Sequence, residues 1–130
     1  MGYRGGMANR ITAWCIDCED PEALAEFWSS VLEWVVTDRD ADGVRIAPAP
    51  DAGWAIDFLR VPDGPKRTKN RIHLDVSATD RDQQAELERL LAIGATPVDI
   101  GQGDVTWHVL ADPEGNEFCL LRERVEPESG

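Results

Sequence analysis

The sequence predicts an α+β fold of two tandem βαβββ modules, which form a curled mixed sheet with the helices outside. The first observation is the stretch Asn70 to Asp80, where apolar and polar residues alternate as in a half-buried strand. The second is that a shift of 60 residues aligns this stretch with an earlier strand and helix. The third is that each half reads as strand, helix and three strands, so the two half-covered sheets must bury their apolar faces together.

The stretch Asn70 to Asp80 combines a strand with the start of a helix. Its alternating side chains divide between two faces, with Ile72, Leu74 and Val76 on one and Arg71, His73, Asp75 and Ser77 on the other. Asp80 is expected to cap the helix, with Gln83 completing a capping box. The helix is expected to stop at Gly94, since glycine suits the left-handed position after a helix end.

The 60-residue register indicates an internal duplication. Its matched pairs are Asp20 with Asp80, Ala25 with Ala85, Glu26 with Glu86 and Phe58 with Phe118. The register holds across a strand, a helix and a late strand without a gap. In the same register His73 matches Ala13, and Cys119 matches Leu59.

The first module is expected to span residues 10–60, after a flexible N-terminal extension over residues 1–9. Its strands are expected over 10–17, 34–39, 44–47 and 54–60. Its helix is capped by Asp20, has Pro21 in its first turn and runs to about Leu32. The apolar stripe of this helix is Leu24, Phe27, Trp28 and Val31.

The second module is expected to span residues 70–122, after a linker over 61–69 and before a polar tail over 123–130. Its strands are expected over 71–77, 96–100, 104–111 and 117–122, and its helix over 80–93. The run Asp112 to Gly115 fits a type I turn, with Asp first, Pro second and Gly fourth.

Length and composition exclude several classes of protein. A chain of 130 residues is long enough for one domain with a real core. The net charge of −12 disfavours nucleic-acid binding, because the phosphate backbone would be repelled. No apolar run is long enough to predict a membrane span. Three cysteines cannot all pair within one chain, and no export signal is recognisable, so a cytoplasmic location is expected.

The strand Ile72 to Val76 and the run Asp112 to Cys119, Asp-Pro-Glu-Gly-Asn-Glu-Phe-Cys, carry a family resemblance. With the two βαβββ halves, they resemble the glyoxalase and bleomycin-resistance family, also called the vicinal oxygen chelate superfamily. The resemblance covers about residues 10–122. Within this family, the chain resembles the small stand-alone glyoxalase-like domains. It is informative about the fold and weak about the activity, because one fold hosts several chemistries.

The resemblance implies a divalent metal inside the cup that the curled sheets enclose. The ligand positions of the family fall on Ala13, Leu59, His73 and Cys119. Only His73 matches, and Cys119 stands where a carboxylate is expected. Because a catalytic metal needs about three protein ligands, we expect no metal at this inherited site and no cofactor.

Three polar residues leave alternatives open. His73 is either a general acid–base or hydrogen-bond donor to a ligand, or a histidine satisfied by a neighbouring carboxylate. Asp57 and Glu117 either form a displaced metal site with His73 or lie at the sheet rim as solvated carboxylates.

Other residues have a functional and a structural interpretation. Cys15 and Cys18 point to opposite sides of a strand, so we expect two buried structural thiols rather than a metal clamp. Arg71 closes a basic run that is either an anion-recognising rim or a solvated linker; the others are Lys66, Arg67 and Lys69. Trp54 and Trp107 are expected to line a pocket, whereas Trp14 and Trp28 are expected to pack the first helix onto the sheet.

Two functions therefore remain open. The first is a homodimeric protein that binds a small organic molecule in an apolar cup without a catalytic metal. Its expected ligand-binding residues are Trp54, Asp57, Leu59, Arg71, His73, Trp107, Glu117 and Cys119. The second is a divergent lyase, isomerase or dioxygenase-type enzyme that uses His73, with a displaced metal site or without metal.

Overall fold

The computed structural model describes residues 8–62 and 64–127. The elements in chain order are β1 (Ala13–Cys18), α1 (Pro21–Leu32), β2 (Val35–Arg39), β3 (Gly43–Ala47), β4 (Ala55–Arg60), β5 (Leu74–Val76), α2 (Gln83–Ala92), β6 (Thr96–Pro97), β7 (His108–Ala111) and β8 (Glu117–Leu120). The α+β class and the two βαβββ modules are confirmed. The expected N-terminal extension lies almost wholly outside the described residues, as does the end of the polar tail.

Each module forms one mixed sheet of four strands. The strand orders are β1-β4-β3-β2 and β5-β8-β7-β6, so the second sheet repeats the first. In each sheet the first strand pairs parallel with the last, and the remaining neighbours are antiparallel. Within the described ranges, β1 and β5 are edge strands of separate sheets, so a seam runs between the modules. Neither helix in these ranges has the length and apolar character needed to span a bilayer.

Helix α1 begins and ends as its sequence predicts. The Asp20 carboxylate accepts a hydrogen bond from the Ala23 N–H at 3.1 Å, and Pro21 lies in the first turn. Glu33 ends the helix in the left-handed region, with φ of 56°. The predicted apolar stripe is buried, and α1 packs against β3 and β4. Helix α1 therefore covers one face of the first sheet.

The predicted start of α2 is wrong. Asp82, not Asp80, is the cap, and its carboxylate accepts from the Ala85 N–H at 2.8 Å. The amide of Gln83 donates to the Thr106 carbonyl at 2.8 Å, so it is not part of a capping box. Both aspartates are good cap residues, and this tertiary contact of Gln83 was not visible in the local pattern.

All four strands of the second module are shorter than predicted, and β8 ends at Leu120 rather than at residue 122. β5 covers only Leu74–Val76, β6 only Thr96–Pro97 and β7 only His108–Ala111. Alternation of side chains marks extended backbone, but a strand also requires a neighbour along its whole length. The shortening leaves His73 one residue before β5, on the backbone that leads into the strand.

An aromatic cluster from both modules holds them together. Trp28 and Phe27 of α1 pack edge to face, and the Trp28 ring centroid lies 4.9 Å from that of Phe118 in β8. Arg89 of α2 adds polar contacts, because its guanidinium donates to the carbonyls of Ser30 and Val31 at the end of α1. These contacts join α1 of the first module to β8 and α2 of the second.

Candidate functional site

A cavity of about 460 Å³ lies at the seam between the modules, beside β1 and the segment that leads into β5. We call it the seam cavity. Its apolar lining residues include Trp14, Ile16, Trp28, Ile56, Leu74 and Phe118. His73 and Glu117 are among its polar lining residues. Trp14 was expected in the core, but it is 38% exposed, and it contributes to the cavity wall instead.

The Asp-Pro-Glu-Gly-Asn run supports one wall of the seam cavity. The Asp112 carboxylate is only 3% exposed and accepts a 2.9 Å hydrogen bond from the Trp28 indole. It also accepts from the backbone and side-chain N–H groups of Asn116. The predicted turn is present, because the Gly115 N–H donates to the Asp112 carbonyl at 2.9 Å. The buried charge of Asp112 is thus held by donors, and the role of the motif is structural.

Glu114 in the same turn joins the second module to the first. Its two carboxylate oxygens accept from the backbone N–H groups of Glu19 and Asp20, each at 2.8 Å. These donors lie just before α1, where backbone N–H groups carry partial positive charge. The Glu114 carboxylate is therefore bonded to backbone of the first module, and it joins the two modules.

Glu117 holds the linker against β8. Its carboxylate accepts from the Lys66 ammonium at 3.0 Å and from the Asn70 N–H at 2.9 Å. Burial alone would raise the pKa of Glu117, but the Asn70 N–H and then Lys66 outweigh it and lower the pKa. Glu117 therefore stays ionised and holds the linker against β8. We call its contacts with Lys66 and Asn70 the Glu117 latch.

Asp57 is engaged elsewhere. Its carboxylate forms a two-pronged ion pair with the Arg45 guanidinium of β3, at 2.6 and 2.9 Å. The hydrogen bond with Asp57, and then its charge, raise the pKa of Arg45. Each carboxylate of the hypothetical displaced site, Asp57 and Glu117, thus has its own cation. The structure does not bring them together with His73.

The inherited ligand positions do not fit a metal shared between the two modules. In the parallel register of β1 and β4, Ala13 pairs with Ala55 and Leu59 pairs with Asp17, and neither Ala13 nor Leu59 offers a donor atom. The first module therefore contributes no ligand at those positions.

A different donor set lies within the second module. Three donor atoms lie within 4.8 Å of one another, one from each of His73, Asp75 and Cys119. We call this group the His–Asp–Cys cluster. The His73 Nε2 atom is 3.3 Å from Asp75 Oδ1. Asp75 pairs directly with Cys119 in the register of β5 and β8, which places both side chains on one face. Among the described residues, this is the group of three His, Cys, Asp or Glu side chains close enough to share a metal.

The members of this cluster differ in exposure. The side chains of His73 and Asp75 are 44% and 50% exposed, whereas Cys119 is buried. Burial, and then the charge of Asp75, raise the pKa of the Cys119 thiol, although Lys69 acts in the opposite direction. Period-two alternation predicted Asp75 on the face of His73, but of these residues only His73 and Cys119 stand at inherited ligand positions, so the third donor was not predicted.

The tryptophans and cysteines are distributed differently from the sequence expectations. Trp54 packs edge to face on Trp34, with ring centroids 4.9 Å apart, and lies outside the seam cavity. Trp107 and His108 line a separate depression beside α2.

Cys18 is buried, as expected, and burial followed by nearby carboxylates such as Glu114 raises its pKa to about 11. The expectation that Cys15 is buried is wrong.

Two residues of the predicted basic run, Lys66 and Arg71, differ in their position relative to the seam cavity. Arg71 is exposed and is not among the lining residues of the seam cavity. Lys66 is a lining residue, but its ammonium is paired with Glu117. Neither Arg71 nor Lys66 therefore offers an unpaired cation to the seam cavity.

Two βαβββ modules around a seam cavity define a protein of the vicinal oxygen chelate superfamily. More narrowly, the glyoxalase-like domain model matches residues 13–121, and the chain belongs to that family. Comparison with curated proteins gives no match.

Solved structures support the fold. A fosfomycin resistance protein, FosX, from Listeria monocytogenes has a TM-score of 0.66 at 13% identity, over 90% of this chain and 93% of that one. FosX from Mesorhizobium loti has a TM-score of 0.63 at 13% identity, over 92% and 95%. A glyoxalase/bleomycin resistance protein/dioxygenase family enzyme from Burkholderia phytofirmans PsJN has 0.62 at 18% identity, over 84% and 94%. At these identities the likeness establishes the fold alone.

Proposed function

We propose that this protein binds a small, largely apolar organic molecule in the seam cavity, without the metal centre shared between the two modules that the family resemblance implies. The observation that carries the proposal is the cavity itself. Its volume of about 460 Å³ falls in the range typical of small-molecule sites. Aromatic and aliphatic walls from both modules provide apolar contact area, and few polar groups remain free to fix the orientation of the ligand.

The polar groups of the cavity support a ligand without strong charge. Asp112, Glu114 and Glu117 are already bonded to protein donors, and Lys66 is paired. His73 is half exposed and offers an imidazole that can donate or accept a hydrogen bond. Asp17 also lines the cavity and is exposed, so its carboxylate can accept a hydrogen bond from a ligand. A largely apolar ligand with one or two hydrogen-bonding groups fits this arrangement.

The second candidate function is a divergent enzyme of the same superfamily, of the lyase, isomerase or dioxygenase type. The observation that favours it is the 3.3 Å contact between His73 and Asp75. A carboxylate beside an imidazole orients the ring, as in many general acid–base pairs. His73 also lines the seam cavity, so its imidazole lies within reach of a bound ligand.

A neutral naphthylamine fluorophore tests the binding function. We expect saturable fluorescence enhancement with one site per chain. Trp14→Ala should weaken this binding by about tenfold, since a large aromatic contact is removed. Trp107→Ala is the matched control, because Trp14 and Trp107 are similarly exposed, at 38% and 40%, and Trp107 lies outside the cavity. Equal losses in both variants, or no saturable binding, would refute the proposal.

The cellular location is part of the same proposal. We expect the protein in the cytoplasm, because all three cysteines are free thiols and reducing compartments keep thiols in that state.

A further inference from the structure

We propose that the His–Asp–Cys cluster binds one divalent ion of the zinc class entirely within the second module. This site uses His73 and Cys119, two of the four inherited positions where the sequence predicts no metal. It differs from the family arrangement that the resemblance implies, because the first module supplies no ligand and Asp75 supplies the third. It goes beyond the proposed function and does not depend on a molecule in the seam cavity.

Geometry is the first argument. Zinc ligands lie about 2.0–2.3 Å from the ion, so the donor atoms of a tetrahedral site are about 3–4 Å apart. The cluster spans 4.8 Å at most, and one edge is 3.3 Å. His73 and Asp75 are half exposed and free to change rotamer, whereas Cys119 is fixed in the sheet. Small side-chain movements therefore complete the site without moving the strands.

The kinds of donor atom are the second argument. One imidazole nitrogen, one carboxylate oxygen and one thiolate sulfur suit zinc or cobalt and disfavour magnesium and calcium, which prefer oxygen. Three protein ligands leave one coordination position open. Because His73 also lines the seam cavity, that position is near the space where an organic ligand would lie.

Charge is the third argument. In the metal-bound state, the Cys119 sulfur and the Asp75 carboxylate together supply two negative charges, which a divalent ion neutralises. The thiol proton passes to solvent when the metal binds. The Lys69 ammonium donates to the Asn70 carbonyl rather than to a ligand atom. The chain as a whole is strongly acidic, with a net charge of −12, so it attracts cations.

The test is a Co²⁺ titration of the full chain after chelation, followed by absorption spectroscopy. We expect one ion per chain, with a thiolate-to-cobalt charge-transfer band that Zn²⁺ abolishes. Cys119→Ser should remove this band, and Asp75→Asn should weaken Co²⁺ binding by at least about tenfold. Cys15→Ser is the matched control, since Cys15 is the exposed thiol of the chain and should not contribute.

Three results would overturn the proposal: no charge-transfer band, a band that survives Cys119→Ser, or one that is lost in Cys15→Ser. Asp75→Asn changes a half-exposed side chain, so it tests the site even if Cys119→Ser fails to fold. The Trp14→Ala variant separates the two proposals, because it should impair fluorophore binding and leave Co²⁺ binding unchanged. Loss of both in that variant would contradict the independence of the metal site.

Discussion

The indole Nε1 of Trp28 donates to the Asp112 carboxylate at 2.9 Å, and this bond joins α1 of one module to the turn before β8 of the other. Trp28 and Asp112 are both almost fully buried. In a low-dielectric interior, an ionised carboxylate requires several donors, and Asp112 has them from Trp28, Asn116 and the turn backbone. The family motif therefore contributes to the structure that surrounds the seam cavity.

Asp112→Ala should lower the free energy of unfolding by about 3 kcal/mol. The substitution leaves the Trp28 indole and the Asn116 amide without their acceptor inside the protein. Urea denaturation followed by circular dichroism measures the effect. Asp104→Ala is the control, because Asp104 is exposed and should change stability by less than about 0.5 kcal/mol. Equal stability of the two variants would contradict the structural role of the motif.

The Glu117 latch predicts a pH-dependent stability difference. Glu117→Gln should destabilise the protein by about 1–2 kcal/mol at neutral pH, because the charge-assisted bonds to Lys66 and Asn70 are weakened. The folded-state pKa of Glu117 is lowered, so this contribution is present above the unfolded-state pKa of about 4.3 and is lost as pH falls through the folded value.

Denaturation of the wild type and Glu117→Gln across pH 3–7 measures this difference. The curves should converge at the acidic end of the series. Glu123→Gln provides the control, since the Glu123 side chain is 85% exposed. A gap between wild type and Glu117→Gln that does not change with pH would contradict the latch.

The three thiols should differ in reactivity. Cys15 is exposed, whereas Cys18 and Cys119 are buried and burial raises the pKa of both, that of Cys18 to about 11. Because the thiolate is the nucleophile, Cys15 should be alkylated first at about pH 8. Iodoacetamide labelling of chelated protein, with peptide mapping, measures the order. Faster labelling of Cys18 than of Cys15 would be incompatible with the burial of Cys18.

Local sequence patterns predicted much of the fold, because helix caps and apolar alternation depend mainly on residues that are close in the sequence. Asp20 and Pro21 begin α1 where the cap and the fixed proline backbone indicate. The 60-residue register predicted that Phe58 and Phe118 are equivalent, and both are fully buried. Sequence spacing failed at α2, where Asp80 and Asp82 compete and a distant contact of Gln83 accompanies the outcome.

The candidate site was less predictable. Period two placed His73 and Asp75 on one face, but which side chains meet across strands depends on register, and only the structure shows Asp75 beside Cys119. The seam cavity depends on the gap between β1 and β5, two edges that share no pairing in the described ranges. No local pattern encodes such a gap, so Trp14 was assigned to the core and Trp54 to the pocket.

The remaining prediction is that the protein is a homodimer that pairs through β2. This strand is the outer strand of the first sheet, and all five of its residues are exposed. Val35 and Val36 are 43% and 41% exposed, which is unusual for apolar residues on an unpaired edge. An antiparallel pair of β2 strands about a two-fold axis would satisfy the free backbone groups and give each valine a cross-strand neighbour on its own face.

Light scattering should therefore give twice the chain mass of 14.4 kDa across a wide concentration range. Val36→Lys should weaken the dimer by at least about tenfold, because two like charges would meet near the axis. Val105→Lys is the matched control, since Val105 is 36% exposed and lies outside the first sheet. A monomer mass for the wild type would contradict the dimer. A dimer that Val36→Lys leaves intact would exclude β2 as the interface.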